Sequence, residues 1–422
     1  MSPYAQGVRV LHLSWEYPPL VYGGLGRHVH ALAEAQAARG DDVTVITQMA
    51  PGEATDAVVA GVRVLRVPHD PPLVPLDEQL LAWVMGLETS MIRAGLELER
   101  EPDVIHAHDW IVSHAAVTLR TAFRSAALVS TIHATEAGRH QGWLPGSLSE
   151  AIHSTEHWLV HESDRVIVCS HHMYAEVEKL FAEGSLNPDH VHVIANGIDL
   201  SRWRATRGEI ATARDRYGAA GPLIVFIGRL EWEKGVHTLI DALPRLRRRL
   251  PGLRVVIAGR GGATDELHRL ARERRVANII EFTGWMPERE LNALIAAADA
   301  LVIPSIYEPF GLVALEGAAL GAPLVVARTG GLAEFVEDGV TGRIFEPGDV
   351  ADLARAATSA VREATDSLTM ARTARARLES SYRWELLAAQ TKNTYADARA
   401  RHDRLTAPPV WIPPRGVNLL RA

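Results

Sequence analysis

Glu308-Pro309-Phe310-Gly311-Leu312-Val313-Ala314-Leu315-Glu316 sets two carboxylates around a glycine-containing turn that opens a helix. The backbone N–H groups at such a helix start, here those of Phe310, Gly311 and Leu312, have no intrahelical partner. The helix dipole favours negative charge at that end, so the turn can receive oxygens of a phosphate or a sugar. Glu308 is expected ahead of the helix and Glu316 about two turns into it. Both accept only when ionised, which suits hydroxyl donors and not phosphate. Phosphate would need cations from elsewhere in the chain.

Those cations stand in Gly228-Arg229-Leu230-Glu231-Trp232-Glu233-Lys234-Gly235, after the apolar run Leu223–Ile227 and before a helix expected from Val236. A strand ending in Gly-Arg with a lysine five residues later can aim two positive charges over one crevice, Arg as a fork and Lys as a point charge. The plainer reading is a solvated loop in which Arg229 and Lys234 pair with Glu231 and Glu233.

Around these segments, short apolar runs alternate with helical patterns. Val8–Leu13, Val43–Thr47, Val62–Val67, Val104–His106, Leu128–Ile132, Val166–Cys169 and Val191–Ile194 read as strands, apolar on both faces as buried parallel strands are. After Asn196-Gly197-Ile198-Asp199 the series restarts with Leu223–Ile227, Val255–Ala258, Ile280–Phe282, Ala300–Ile303 and Leu324–Val326. The fold class is therefore α/β: two successive Rossmann-like, doubly wound domains. Gly40, Gly321-Ala322-Pro323 and Pro287 punctuate the expected helices Leu25–Arg39, Leu312–Leu320 and Glu288–Ala298. Pro68–Pro75 and Gly138–Gly146 read as long connections able to shape an acceptor groove.

A chain of 422 residues, 47% hydrophobic and 23% charged, has the length and composition of a two-domain globular protein. Its net charge of -7 excludes the basic excess of a general nucleic-acid binder. The single cysteine, Cys169, reads as a buried thiol at a strand. No run approaches the roughly 20 apolar residues that span a bilayer, and the start of the sequence lacks a secretory pattern, so a cytoplasmic location is expected. The basic cluster Arg245, Arg247, Arg248 and Arg249 reads as favourable charge at a helix C-terminus rather than as a lipid patch, which leaves peripheral membrane contact open.

Four further motifs stand in order along the chain: Gly23-Gly24-Leu25-Gly26 after the first strand, His106-Ala107-His108-Asp109-Trp110, Thr131-Ile132-His133 at a strand end, and Asn196-Gly197-Ile198-Asp199. With the two segments above, the chain resembles the family-4 retaining glycosyltransferases, most closely the glycogen-synthase-like bacterial α-1,4-glucosyltransferases. The resemblance covers nearly the whole length. It implies the GT-B fold, with the two domains facing a central cleft. Residues 1–200 would be the acceptor domain, 201–384 the nucleotide-sugar domain, 385–400 a helix returning to the first domain, and 401–422 an extended tail.

The resemblance also implies roles. Arg229 and Lys234 would neutralise the departing diphosphate, helped by the N–H groups of Gly23 and Gly24. Glu308 would hold a hydroxyl of the donor sugar, the backbone of Phe310–Leu312 its opposite edge, and Glu316 the ribose. His133 would lie beside the reacting sugar with Asp109 supporting it, and the loop carrying Trp285 and Met286 would choose the base. No cofactor and no metal are expected, since the sequence has no Asp-x-Asp site. The donor would be ADP-glucose or UDP-glucose, and the acceptor an α-glucan or oligosaccharide. Where glycogen synthases carry a lysine before the glycine pair, this chain has Val21; Arg27 is positioned to compensate.

Three histidines four residues apart, His153, His157 and His161, would stack on one helical face as a polar stripe, and lack the further ligands of a zinc site. His106 and His108 share a strand face and, by the resemblance, serve the sugar site. Alternatives to the α-glucan reading are hexose transfer to a lipid or small-molecule acceptor, a nucleotide-sugar epimerase on the same scaffold, and a non-catalytic glycan-binding protein.

Overall fold

The computed structural model describes residues 7–70, 79–181, 188–219 and 221–406. The first sheet contains β1 (Arg9–Leu13), β2 (Asp42–Gln48), β3 (Asp56–Val59), β4 (Val62–Val67), β5 (Val104–His108), β6 (Ala127–Ile132), β7 (Arg165–Val168) and β8 (Val191–Val193). The second contains β9 (Leu223–Ile227), β10 (Arg254–Ala258), β11 (Ile280–Gly284), β12 (Ala300–Ile303), β13 (Leu324–Ala327) and β14 (Arg343–Phe345). Their orders are β3-β4-β2-β1-β5-β6-β7-β8 and β11-β10-β9-β12-β13-β14. Every pair is parallel except β3 with β4.

Central strands β5, β6 and β9 are buried along their whole length, which is why they read as unbroken apolar runs. In each sheet the strand order turns around between two neighbours, β1 and β5 in the first, β9 and β12 in the second. A crevice opens beyond the carboxyl ends of the strands at such a turning point. Asp109 follows β5, Gly228-Arg229 follows β9, and Glu308 lies five residues after β12.

Two strands escaped the sequence reading. β3 is a short antiparallel edge, with Val58 and Val59 exposed, joined to β4 through Ala60-Gly61, both at positive φ (49° and 82°) as a two-residue hairpin turn requires. β14 is only three residues long. The segment Gly138–Gly146 contains the end of a short helix, Glu136–Arg139, and Pro68–Pro75 falls largely outside the described residues.

The C-terminal helix runs Trp384–Thr406 and lies on the first sheet, where Tyr395 is fully buried against Val8, Val10, Val104 and Val129. The chain passes between the domains twice side by side, with Ile198 N–H donating to Tyr382 O at 2.9 Å. The expected extended tail needs correction at its start. Residues 401–406 continue the helix, because no glycine or proline interrupts the sequence before Pro408; residues 407–422 are outside the described residues. Among the described residues no helix is long and apolar enough to cross a membrane.

Candidate functional site

On the first-domain side, β5 and β6 end next to each other, with His108 the last residue of β5 and Asp109 and His133 the first residues past β5 and β6. Asp109 sits at φ 62°, ψ 179°, a region essentially reserved for glycine and costing roughly 1–3 kcal/mol for other residues. It is held there from both sides. Its N–H donates to Thr131 O at 3.0 Å, and its Oδ1 accepts from His133 N–H at 2.7 Å. Burial raises the Asp109 carboxyl to about 6, opposed by the N–H groups of His133 and Ala134 and by the charge of Arg139.

Behind this pair lies a hydrogen-bonded chain of side chains. His133 Nε2 meets His108 Nδ1 at 3.2 Å, and His108 Nε2 meets His12 Nδ1 at 3.0 Å. His12 Nε2 meets Gln36 Oε1 at 2.7 Å, and Gln36 Nε2 donates to Tyr395 Oη at 2.9 Å. Tyr395 Oη meets His106 Nδ1 at 2.7 Å, and His106 Nε2 meets Thr131 Oγ1 at 2.7 Å. Burial lowers His12 to about 4 and His133 to about 3, and it holds His106 and His108 well below the usual imidazole range, with neighbouring imidazoles adding to the shift. These rings are neutral at physiological pH.

On the second-domain side, Lys234 Nζ reaches Glu308 Oε2 at 2.8 Å, and Ser305 Oγ donates to the same oxygen at 3.1 Å. The Glu233 carbonyl accepts the Ile306 N–H at 2.8 Å, so the two loops are joined through the backbone as well. Gly235, at φ +66°, must be glycine, because a Cβ there would lie 1.9 Å from Pro304 O. Arg229 instead turns to Glu233 at 2.9 Å and is half exposed, which is the solvated pairing the plainer reading anticipates for it; Lys234 pairs with Glu308 and with neither Glu231 nor Glu233. The helix after the motif is Leu312–Ala319, capped by Gly311 in the left-handed region, so Glu316 stands just over one turn in rather than two.

The two sides are tied together. Thr135 N–H, two residues after His133, donates to Tyr307 Oη at 3.3 Å, one residue before Glu308, and Ser170 Oγ donates to Pro309 O at 2.7 Å. Glu334 accepts the N–H groups of His171 and His172 at 3.0 and 2.7 Å. Gly24 opens the helix Gly24–Ala38 opposite Leu312, whose Cδ1 would be 2.9 Å from a Cβ at that position.

The glycine loop differs from expectation in one respect. Glu16 Oε2 accepts the N–H groups of Tyr22 and Gly23 at 2.8 and 2.9 Å, so the Gly23 N–H is engaged by a carboxylate in this state. Arg27 forms an ion pair across the cleft with Glu316, whose carboxyl is raised by burial against the pull of Arg27. Phe310 is buried, as is Met286, which packs in the core, while the neighbouring Trp285 is exposed. Sequence reading missed Glu16, Tyr307, Ser305 and the Gly330-Gly331 pair. Gly330, at φ +50°, comes so close to the motif that a Cβ would lie 1.8 Å from Glu308 O. The glycine pair after β13 was the available signal for that support.

Residues 22–202 match the model of the Glycosyltransferase Family 4 and residues 213–377 that of the Glycosyl transferases group 1. A glycogen synthase of Mycobacterium tuberculosis is 46% identical over 405 residues, covering 93% of this chain and 95% of its own. The chain belongs to the family-4 glycosyltransferases. It falls on their glycogen-synthase-like side. Among solved structures, a sucrose-phosphate synthase from Thermosynechococcus elongatus superposes with a TM-score of 0.79 at 23% identity, covering 93% of this chain and 99% of its own. The catalytic domain of starch synthase IV from Arabidopsis thaliana, bound to ADP and acarbose, gives 0.76 at 19% identity, covering 94% and 100%. These likenesses establish the GT-B fold for this glycosyltransferase.

Among the described residues of this transferase, two histidine groups, His12/His106/His108 and His28/His108/His133, each bring three imidazole nitrogens within 4.8 Å of one another. The first group is knit by the hydrogen-bonded chain. His28 Nδ1 meets Asn196 Oδ1 at 2.7 Å. The stripe His153, His157, His161 lies on the helix Ser147–Glu162, with the rings of His157 and His161 4.2 Å apart. Cys169 is buried just past β7, its thiol pushed up by burial.

Proposed function

We propose that this glycosyltransferase moves glucose, with retention and without a metal ion, from ADP-glucose or UDP-glucose to the 4-hydroxyl of an α-glucan. The observation that carries the reading is the cross-cleft junction at Thr135 and Tyr307, which sets the Asp109/His133 strand ends against the Lys234–Glu308 pair. The glycogen synthase relative, similar over nearly its whole length, supports glucose and an α-glucan as donor sugar and acceptor. A starch synthase of the same fold, bound to ADP and acarbose, supports a nucleotide donor beside a sugar chain.

In the reaction, the bond from the anomeric carbon to the β-phosphate oxygen breaks, and a bond from the same carbon to the acceptor O4 forms on the same face. The acceptor proton passes to the departing phosphate. Lys234 and Arg229 would exchange their carboxylate partners for the diphosphate, where positioned cations act at the oxygen that gains charge. Glu308, relieved of Lys234, would accept a hydroxyl of the sugar, the Phe310–Leu312 backbone its opposite edge, and Glu316 the ribose. Neutral His133 would lie beside the sugar, with Asp109 fixing its backbone.

The test supplies purified protein with maltooligosaccharide and ADP-glucose or UDP-glucose in parallel, reading chain extension by mass and linkage by a 1,4-specific amylase. Extension by amylase-sensitive hexose units is expected. Nucleotide binding without extension of the glucan, and transfer to a lipid extract instead, would overturn the acceptor assignment.

A further inference from the structure

The side chains behind His133 admit few proton arrangements. Gln36 Nε2 donates to Tyr395, so Oε1 can only accept, and the His12 ring must present its proton on Nε2. A neutral imidazole has one N–H, which leaves His12 Nδ1 as a lone pair that accepts from His108 Nε2. His108 Nδ1 then accepts from His133 Nε2. Tyr395, accepting from Gln36, has its one proton free for His106 Nδ1, and His106 Nε2–H can then donate to Thr131 Oγ1. The Nε2–H arrangement follows from the amide orientation that sets Gln36 Oε1 on His12 and Nε2 on Tyr395; turning the amide over would reverse the His12, His108 and His133 protons together, and no mixed arrangement of these three rings satisfies every contact.

We infer that Gln36, His12 and His108 are positioning residues that lock His133 in the Nε2–H tautomer, leaving its Nδ1 as a hydrogen-bond acceptor for a hydroxyl of the transferred sugar. Three observations support this. Gln36, His12 and His108 are fully buried, so water does not compete for their protons. His133 is only half buried, and its Nδ1 has no partner among the described residues. The far end of the chain is anchored by Tyr395 on the returning C-terminal helix, fully buried against the first sheet. A free imidazole interconverts its tautomers; here, changing one ring alone would set two N–H groups, or two lone pairs, against each other at about 3 Å. The sugar-side role rests on the proposed function, whereas the tautomer does not.

The experiment labels the full chain with 15N-histidine and reads ring tautomers from two-bond 1H–15N correlations, assigning signals by single His→Gln replacements. Nε2–H is expected at His12, His108 and His133. Gln36→Glu keeps an acceptor for His12 and should keep that pattern, whereas Gln36→Met removes it and should give mixed tautomers at His133. With Gln36→Met, kcat should fall about tenfold, the scale of one neutral hydrogen bond, with the donor KM unchanged, and Gln36→Glu should restore it. Nδ1–H or a mixture at His133 in the unaltered protein overturns the inference, whatever the variants do. A mixed tautomer in Gln36→Met with unchanged kcat would keep the lock and overturn the sugar-side role of His133.

Discussion

At the scale of single residues, the Lys234–Glu308 pair decides whether the site has been located correctly. Each partner is mostly shielded, and each neutralises the other at 2.8 Å in the absence of substrate. Donor binding would divide them, Lys234 to phosphate and Glu308 to a sugar hydroxyl. Either Lys234→Ala or Glu308→Ala should therefore leave a folded protein and reduce transfer by at least about a hundredfold, the scale of losing one preorganised charge contact. Circular dichroism together with initial rates checks this, and near-normal rates in both variants would sink the assignment. Arg229 is the weaker member of the cationic pair: it is half exposed and turned to Glu233, and exposed ion pairs contribute little to stability.

At the scale of elements, the helix Ser147–Glu162 carries a buried carboxylate inside its histidine stripe. Glu156 Oε1 accepts from Glu136 N–H at 2.8 Å, but Oε2 is buried without a partner, 3.9 Å from the equally unpartnered His153 Nδ1. Burial raises the Glu156 carboxyl from an ordinary 4.5 to about 8. A carboxyl that holds its proton more tightly when folded contributes stability below its unfolded value and loses it as pH rises through the folded one. Glu156→Gln should thus match the unaltered protein near pH 4.5 and become progressively more stable up to pH 8, by roughly 2–4 kcal/mol. Urea unfolding at pH 5, 7 and 9 reads the difference, and a flat difference would overturn the burial account. The same helix shows what was legible in the sequence. The His153, His157, His161 periodicity announced a helical face, whereas the buried glutamate beside it looked like any surface charge. The central parallel strands announced themselves because both their faces are buried; β14 did not, being only three residues long, and β3 did not, because its outer residues are exposed. The carboxylate and lysine motifs were visible as local patterns. The chain through His12, Gln36, His108 and Tyr395 was not, since its members are 24 to 359 residues apart and meet only through sheet order and the returning helix.

At the scale of the whole molecule, one apolar cluster runs through both domains, and among the described residues the polar contacts across the cleft include one charged pair, Arg27–Glu316. Glu316 is almost inaccessible, while Arg27 keeps 40% of its side chain exposed, so the two sides of the pair differ in what their loss would do. Removing Arg27 leaves a buried carboxylate uncompensated, and removal of one partner of a buried pair is strongly unfavourable because the other stays desolvated. Opening the cleft lets water reach Glu316 and relieves that penalty. Arg27→Ala without nucleotide should therefore have a larger radius of gyration by small-angle scattering than the unaltered protein, and its donor KM should rise about tenfold, since the domains must then be brought together by the donor itself. Saturating ADP or UDP should return it to the compact form, because the ribose hydroxyls would take the place of the guanidinium at Glu316. The double variant Arg27→Ala/Glu316→Gln removes both charges and should stay compact without nucleotide, while binding donor poorly. Identical scattering from all three proteins would show that closure does not depend on this pair, and an unchanged donor KM in Arg27→Ala would remove Arg27 from the donor site as well.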